Sequence, residues 1–588
     1  MCGIAGLARG PGAKLPSGLA ARLDAALAHR GPDGAGRHEA GSVLLVHRRL
    51  AIIDPAGGAQ PLRTGDGTAL IANGEIYSYR ELRRDLLADV RFATDSDCEV
   101  PLHLFAREGE GFAHRLRGMW AIAIHEPRSD RLVLSRDPFG IKPLYLAETP
   151  LGIAFASEAR ALIAAGLVAP KIEPLARDEL LELQFTTGRG TIFHGIDRVL
   201  PGETVVIAAG RVVGRSRRCA LPEGGPEEID EEEALARLDR ALEESVALHQ
   251  RSDVPYGLFL SGGTDSAAVL ALMRRLAERP VLAFTAGFDD PSAADERAAA
   301  RATARAAGAA HEEITVTEAD FLRHLPAIAA AMDDPAADYA IVPTWLLARR
   351  ARADVTVVLS GEGGDEVFAG YGRYRSAMRR WWLGGRAMRP SGILERLGLR
   401  RSPAASWRSG LEAAIRSSAR AGRTRLMAAQ AADFAEWLPN DLLAKLDRCL
   451  MAHGVEGRTP FLDPAVVAAA FRLPDRLKVR GRMGKWLLRA WLERHFPAAR
   501  PFAPKQGFTV PVAAWIARSG QRLGALVAAD QAVAELCDPD RVRALFRAGG
   551  KHEGFAAWTL LFYALWHRVH IRGIDAGGDV FEVLAAKG

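Results

Sequence analysis

The sequence predicts two domains of different class. An N-terminal α+β layered sandwich is expected over residues 2–215, and a C-terminal α/β doubly wound parallel sheet with a helical extension over 234–588, joined by a linker at 216–233. Three observations carry that expectation. The first third alternates short apolar runs with Gly, Pro and Asp turns, residues 221–233 are rich in Pro, Gly and acid, and from about 234 strand-like and helix-like patterns alternate. At 588 residues the chain exceeds what one core sustains, and with 48% apolar residues each domain can bury its own.

Strands are expected at 43–46, 69–72, 120–124 and 131–134, with helical patterns near 17–29 and 78–89 and a short strand at 204–208 after Pro201-Gly202-Glu203. Beyond the linker the pattern reads helix 234–248, strand 257–260, helix 266–278, strand 281–287, helix 294–307, strand 311–316, helices 318–331 and 340–353, and strand 355–360. This alternation implies parallel strands with crossover helices, whose ligands belong at the carboxyl ends of the strands. Past 372 the apolar spacing is helical and ends in the Trp-rich stretch 555–569.

Composition narrows the function. Five scattered cysteines, at 2, 98, 219, 449 and 537, form no CxxC pair, so neither disulfides nor zinc are expected. No apolar run approaches the roughly eighteen residues of a membrane helix, and no charged start leads into an apolar segment, so a soluble cytoplasmic protein without membrane contact is expected. The net charge of +6 reflects a chain-wide Arg bias. Its one concentration, 386–425 with ten Arg and two acids, reads as a solvated helical surface, and no nucleic-acid partner is expected.

Chemistry enters at three places. The apolar run 257–260 feeds into Ser261-Gly262-Gly263-Thr264-Asp265-Ser266, and Val269, Leu270, Leu272, Met273 and Leu276 then follow at helical spacing. Strand, tight turn and helix bring free amides and hydroxyls to face an anion, with glycines allowing close approach. No Gly-Lys-Ser/Thr ending follows, which excludes the phosphate loop of kinases and GTPases. A second strand end, Ser360-Gly361-Glu362-Gly363-Gly364-Asp365-Glu366, carries three acids suited to cation binding and proton handling. The chain starts Met-Cys-Gly, and a small second residue permits loss of Met1, leaving Cys2 with an α-amine of pKa about 8 that can act as base for its own thiol. Singly, these strings also read as a glycine-rich turn, an acidic surface turn and an incidental thiol.

Together they read otherwise. His29-Arg30-Gly31-Pro32-Asp33, Arg49 to Asp54, Gln60-Pro61-Leu62, Asn73-Gly74-Glu75-Ile76-Tyr77, Ser96-Asp97-Cys98-Glu99 and Arg136 to Tyr145 occur in order. This series resembles the class II, N-terminal-nucleophile glutamine amidotransferases. SGGTDS resembles the pyrophosphate loop of enzymes that split ATP into AMP and pyrophosphate, and paired with SGEGGDE it resembles the asparagine-synthetase domain. The resemblance, to the glutamine-hydrolysing asparagine synthetase family, covers most of residues 2–515.

It implies the following roles. Cys2 is the glutaminase nucleophile. Arg49 grips the glutamine α-carboxylate, and Glu75 and Asp97 hold its α-ammonium. The Asn73 side chain and Gly74 amide form the oxyanion hole. Ser261, Gly262, Gly263, Asp265 and Ser266 hold the pyrophosphate, and Phe259, Ala286, Ser360 and Gly361 line the AMP part of ATP. Asp265 and Asp365 bind Mg²⁺, Glu362 deprotonates the attacking ammonia, and Lys485 stabilises charge on an adenylate. Asp295-Glu296, Asp333-Asp334-Pro335, the stretch 457–463 (with Gly457 where Val is common) and Lys505-Gln506-Gly507-Phe508 match without roles. The implied substrates are glutamine, ATP and aspartate. A sugar acid, peptide or secondary-metabolite carboxylate remains open as the acceptor, as does a homodimer. A silent glutamine-sensing scaffold fits poorly with intact Cys2, Arg49, Asp97, Asp265, Glu362 and Asp365.

Overall fold

A computed structural model describes residues 2–587 apart from 278, 294, 380, 381, 383, 384, 387, 405 and 504–508. Met1 and the Lys505–Phe508 stretch therefore lie outside the described residues.

The first domain carries β1 (Gly3–Arg9), β2 (Gly34–Ala40), β3 (Val43–Arg49), β4 (Leu62–Arg63), β5 (Ala69–Glu75), β6 (Met119–Glu126), β7 (Arg131–Arg136), β8 (Tyr145–Thr149), β9 (Gly152–Ala156), β10 (Asp197–Arg198), β11 (Glu203–Ala208) and β12 (Arg211–Arg217). They form two antiparallel sheets, in the orders β10-β8-β9-β1-β3-β2 and β12-β11-β7-β6-β5-β4. Side-chain alternation makes the sandwich. Ile4 and Ala8 of β1 turn inward to meet Leu45, Ile71, Ala123, Leu134 and Val205 of both sheets, while Ala5 and Leu7 turn outward into a cluster with Leu19, Leu23 and Leu27 of the helix Leu19–Leu27.

All five strands expected in this domain lie inside β3, β5, β6, β7 and β11. β1, β2, β8 and β9 fall outside those expectations. β2 reads GAGRHEA, so its glycines and polar residues conceal a strand held by its pairing with β3. β12 runs to Arg217, paired with Glu203, one residue past the expected linker start.

The second domain holds β13 (Tyr256–Phe259), β14 (Leu282–Phe288), β15 (Ala310–Val316), β16 (Val357–Leu359) and β17 (Glu456–Arg458) in the order β15-β14-β13-β16-β17. All neighbours are parallel. The winding reverses between β13 and β16, and such switch points are where open parallel sheets bind ligands. β17 was not expected, because its three residues bring two buried charges and no apolar run.

Helix Lys551–His570 sits in the core, its Trp558 and Trp566 indoles donating to Ala337 O (2.6 Å) and Met332 O (2.9 Å). No helix among the described residues is long and apolar enough to cross a membrane.

The Arg-rich segment corrects the sequence reading, because part of it is buried against the first domain. Arg400 pairs with Asp178 and Glu182 of the helix Pro174–Leu183, and the Glu182 carboxylate accepts from the amides of Leu394 (2.9 Å) and Glu395 (3.0 Å). Arg389 stacks over Trp437 at 3.9 Å. Guanidinium groups supply planar surface as well as charge, so an Arg run need not be a solvated face.

Buried ion pairs seat one domain on the other. Arg198 meets Asp334 (2.7 and 2.8 Å), and Asp333, itself paired within its own domain to Arg448 (2.6 Å), accepts from Arg160 N of the first domain at 3.1 Å, which gives the unassigned Asp333-Asp334 an interface role. Arg30 forks onto Asp447 at 2.8 and 3.0 Å.

Candidate functional site

Two centres emerge, one in each domain. The first is assembled around β5. Asn73 and Gly74 lie within the strand, opposite Ala121 and Trp120, and not in the hairpin turn that Asn-Gly commonly makes. Cys2 N donates to Asn73 Oδ1 at 3.0 Å, while Asn73 Nδ2 is buried without a hydrogen-bond partner. A buried amide donor left unspent is costly unless something arrives to accept from it. Gly74 cannot be replaced in place, since a Cβ there would lie 2.2 Å from Met119 O. Burial raises the Cys2 thiol above its ordinary pKa, so the thiolate depends on a base close by.

Arg49, at the end of β3, spends three of its donors on the carbonyls of Ile53 (3.2 Å), Asp54 (2.6 Å) and Pro55 (2.9 Å). The guanidinium is thereby oriented with two donors left over. Glu75 and Asp97 are both buried. Burial, and then the Asp97 charge, push Glu75 well above the usual carboxylate range. Burial lifts Asp97 to about 6 even though its Oδ2 accepts from Ile76 N at 2.6 Å. Two acids that resist ionisation together form a site that a cation completes.

The second centre lies at the ends of β13 and β16. Ser266 Oγ accepts from Ser261 N (3.1 Å) and sits 3.0 Å from Ser261 Oγ, closing the turn before the helix Thr264–Leu276. The Gly262 amide donates to Glu296 Oε2 at 3.2 Å, which gives the unassigned Asp295-Glu296 a contact with the loop. Phe259 ends β13 and Ala286 lies on neighbouring β14, where Leu260 N bonds Phe284 O at 2.9 Å. Ser360 and Gly361 follow β16, and a Cβ on Gly361 would stand 3.0 Å from Ser266 N, so the two loops touch.

Lys485 joins them. Its Nζ contacts Asp265 and lies 2.7 Å from Asp365 Oδ1. Burial works against its charge, but Asp265 and Asp365 hold its pKa above the ordinary value. Lys485 also sits at φ 57, a strained left-handed conformation for a residue other than glycine, at the start of the helix Trp486–His495.

Glu362 stands beside this group, its side chain 27% exposed, with Lys445 Nζ at 3.3 Å. Lys445 also reaches Asp338 Oδ2 at 3.0 Å. Asp441 belongs to the same cluster, fully buried with neither carboxylate oxygen partnered, and burial followed by the Asp338 charge raises its pKa well above the usual range. It lies in a π-helical segment, Asp433–Leu442. Such segments concentrate at functional sites.

Sequence reasoning missed Lys445, Asp447, Asp441 and Glu456, and quoted Arg30 and Arg458 without roles. A signal was present for the first two. The helix Leu443–Met451 reads LAKLDRCLM, with three charges within four positions of an apolar helix, all buried.

The comparisons with known proteins cover both domains. The family description "Asparagine synthase" matches residues 237–568, and "Glutamine amidotransferase domain" matches residues 1–217. The chain is 35% identical over 638 residues, 97% of each chain, to a Mycobacterium tuberculosis protein named "Putative asparagine synthetase", glutamine-hydrolysing. It is 31% identical, over 94% of each chain, to the glutamine-hydrolysing asparagine synthetase 1 of Bacillus subtilis. A partial match at 30% identity, over 59% of this chain and 54% of the other, is to "Amidase chyE" of Penicillium rubens. The chain belongs to the glutamine-hydrolysing asparagine synthetase family, and it is an ATP-dependent ligase that takes its nitrogen from glutamine.

Proposed function

We propose that this chain amidates aspartate, converting glutamine, ATP and aspartate into glutamate, AMP, pyrophosphate and asparagine. The observation that carries the acceptor is the mixed charge beside Glu362: Lys445 with Asp338 and Asp441. Aspartate offers one carboxylate for activation and also a second carboxylate and an ammonium, which a cation and neighbouring acids can answer. A plain sugar acid offers no ammonium.

With Met1 removed, the Cys2 amine takes the thiol proton and the thiolate attacks the glutamine carboxamide. The oxyanion forms where Asn73 Nδ2 and the Gly74 amide can donate, ammonia leaves, and water releases glutamate from the thioester. Arg49 holds the α-carboxylate, and Glu75 and Asp97 hold the α-ammonium. At the other centre an aspartate side-chain oxygen attacks the α-phosphorus of ATP. Pyrophosphate departs into Ser261, Gly262, Gly263 and Ser266, with the AMP moiety along Phe259, Ala286, Ser360 and Gly361. Ammonia attacks the acyl carbon, Glu362 takes its proton, and AMP leaves with Lys485 offsetting the negative charge. Ammonia at neutral pH is mostly protonated, so passage through the buried domain interface preserves the nucleophile.

Asp265 and Asp365 fit Mg²⁺. They are hard oxygen donors converging on one cationic point. That suits an ion held by two carboxylates together with phosphates and water, and when bound it would neutralise phosphate charge.

A second reading keeps the chemistry and changes the acceptor, and the partial likeness to an amidase supports keeping it. The deciding experiment is pyrophosphate release with Mg-ATP and ammonium, with and without aspartate, while asparagine is followed by mass spectrometry. Aspartate-dependent pyrophosphate with matching asparagine is expected. A synthetase centre silent with aspartate, alongside active glutamine hydrolysis, would sink the aspartate assignment and favour another carboxylate.

A further inference from the structure

Arg458 closes β17, the edge strand of the second sheet, and it touches both centres. Its carbonyl accepts from Ser360 N at 2.9 Å, at the loop after β16. Its side chain runs the other way, across the domain boundary. Nε donates to Glu456 Oε1 at 2.7 Å, and Nη1 to the carbonyls of His249 (2.8 Å) and Arg251 (2.6 Å). Nη2 stops 3.1 Å from Glu75 Oε2, yet it is a buried donor without a hydrogen bond of normal geometry. The guanidinium carbon lies 5.5 Å from the ring centre of Tyr77, two residues beyond Glu75. The side chain is fully buried.

A buried cation is expensive, and its cost is recovered only where the opposing charge is held in place. Glu456, on the same strand, answers that charge from within the domain. The reach to Glu75 is therefore not needed to fold β17, and it leaves a donor aimed at the acid that is to receive the glutamine ammonium. We propose that Arg458 is a positioning residue through which the synthetase domain sets the glutamine-binding acids: it acts on Glu75, and its backbone bond to Ser360 carries the state of the nucleotide loop to the glutaminase centre. This inference rests on Glu75 being part of the glutamine site.

The test uses the full-length enzyme with Arg458→Gln, Arg458→Lys, Glu75→Gln and the double variant Arg458→Gln/Glu75→Gln. Glutamine KM, glutaminase rate with and without ATP, and ammonium-dependent pyrophosphate release are measured. Arg458→Gln is expected to raise the glutamine KM by about tenfold to a hundredfold, the scale of a lost charge-assisted contact, with partial recovery in Arg458→Lys. Any response of glutaminase to ATP should disappear. Ammonium-dependent release, the folding control, should stay within about twofold, and Arg458→Gln should add less than about threefold in the Glu75→Gln background.

Glutamine KM unchanged in Arg458→Gln, equal loss of both activities in both Arg458 variants, or full additivity with Glu75→Gln would each overturn the proposal. A Glu75→Gln variant with normal glutamine KM would instead defeat the glutamine-site assignment, and this inference with it. A damaging Glu75→Gln with a harmless Arg458→Gln defeats this inference alone.

Discussion

At the proposed glutamine centre, Cys2 meets Asn73, Glu75 meets Asp97, and Arg458 of the other domain reaches Glu75, so each contact joins residues distant in sequence and nearly all are buried. The proposed phosphate centre is built almost entirely from two local turns, 261–266 and 360–365, closed by one distant lysine. Charge in the first centre is set by burial, and charge in the second by a neighbouring cation. Burial makes a site depend on the whole fold around it, whereas a glycine turn at a strand end depends mainly on its own backbone. The first centre should therefore respond to changes across the domain interface, and the second to changes within a few residues of itself.

The largest expected effect separates the centres outright. Cys2→Ala should lower glutamine-dependent synthesis by more than about a thousandfold while ammonium-dependent synthesis persists, measured side by side on one preparation. Loss of both would mean that the two centres are not chemically separate.

Gly370→Ala is the converse. A Cβ there would fall 1.8 Å from Asp365 Oδ1 and 2.1 Å from Lys485 Cε, so the acid and the lysine must move apart. Displacement of that order should cut ammonium-dependent pyrophosphate release about a hundredfold and leave glutamine hydrolysis nearly intact. An equal fall in glutaminase would show that the phosphate centre is less local than its turns suggest.

Asp447→Ala attacks the interface. Asp447 accepts from Arg30 at 2.8 and 3.0 Å and from Arg448 at 2.9 Å, and Arg30 in turn donates to Cys2 O at 3.1 Å. Removing one partner of such buried pairs costs about 3–5 kcal/mol. Denaturant unfolding should show that loss, and glutaminase should suffer more than ammonium-dependent synthesis.

The same contrast explains what could be read from the chain. The doubly wound sheet and its loops were legible because strand, glycine turn and helix follow one another, so Ser261 to Ser266 announce their own geometry. Cys2, Asn73, Glu75 and Asp97 were legible only jointly, as segments in a recognisable order. β17 and Glu456 were not, because three residues with two buried charges make no apolar run, and Lys445 and Asp447 left only charges inside an apolar helix, with nothing local to name their partners, such as Arg30 of the other domain. The Arg-rich segment misled for that reason too: its composition is that of a surface, and only the acids of the helix Pro174–Leu183 make Arg400 an interior residue.

The smallest expected effect, a dependence on pH, tests burial itself. Burial lifts Asp97 to about 6, so at neutral pH it is ionised and can receive the glutamine ammonium, and below about 6 a proton competes for it. kcat/KM for glutamine should then fall by up to about tenfold per unit below pH 6, while ammonium-dependent synthesis shows no limb from this group. Stability should move the opposite way. A carboxylate whose folded pKa lies above its unfolded value binds more protons when folded, so its penalty is absent at low pH and grows as pH rises from about 4 through 6. Asp97→Asn should therefore stabilise the fold at pH 7 relative to the parent, and less so at pH 4, while glutamine binding weakens. If the variant instead lost stability at neutral pH, the carboxylate would be held by partners that outweigh its burial, and the view of this centre as one whose acids are desolvated beyond what Arg458 offsets would be wrong.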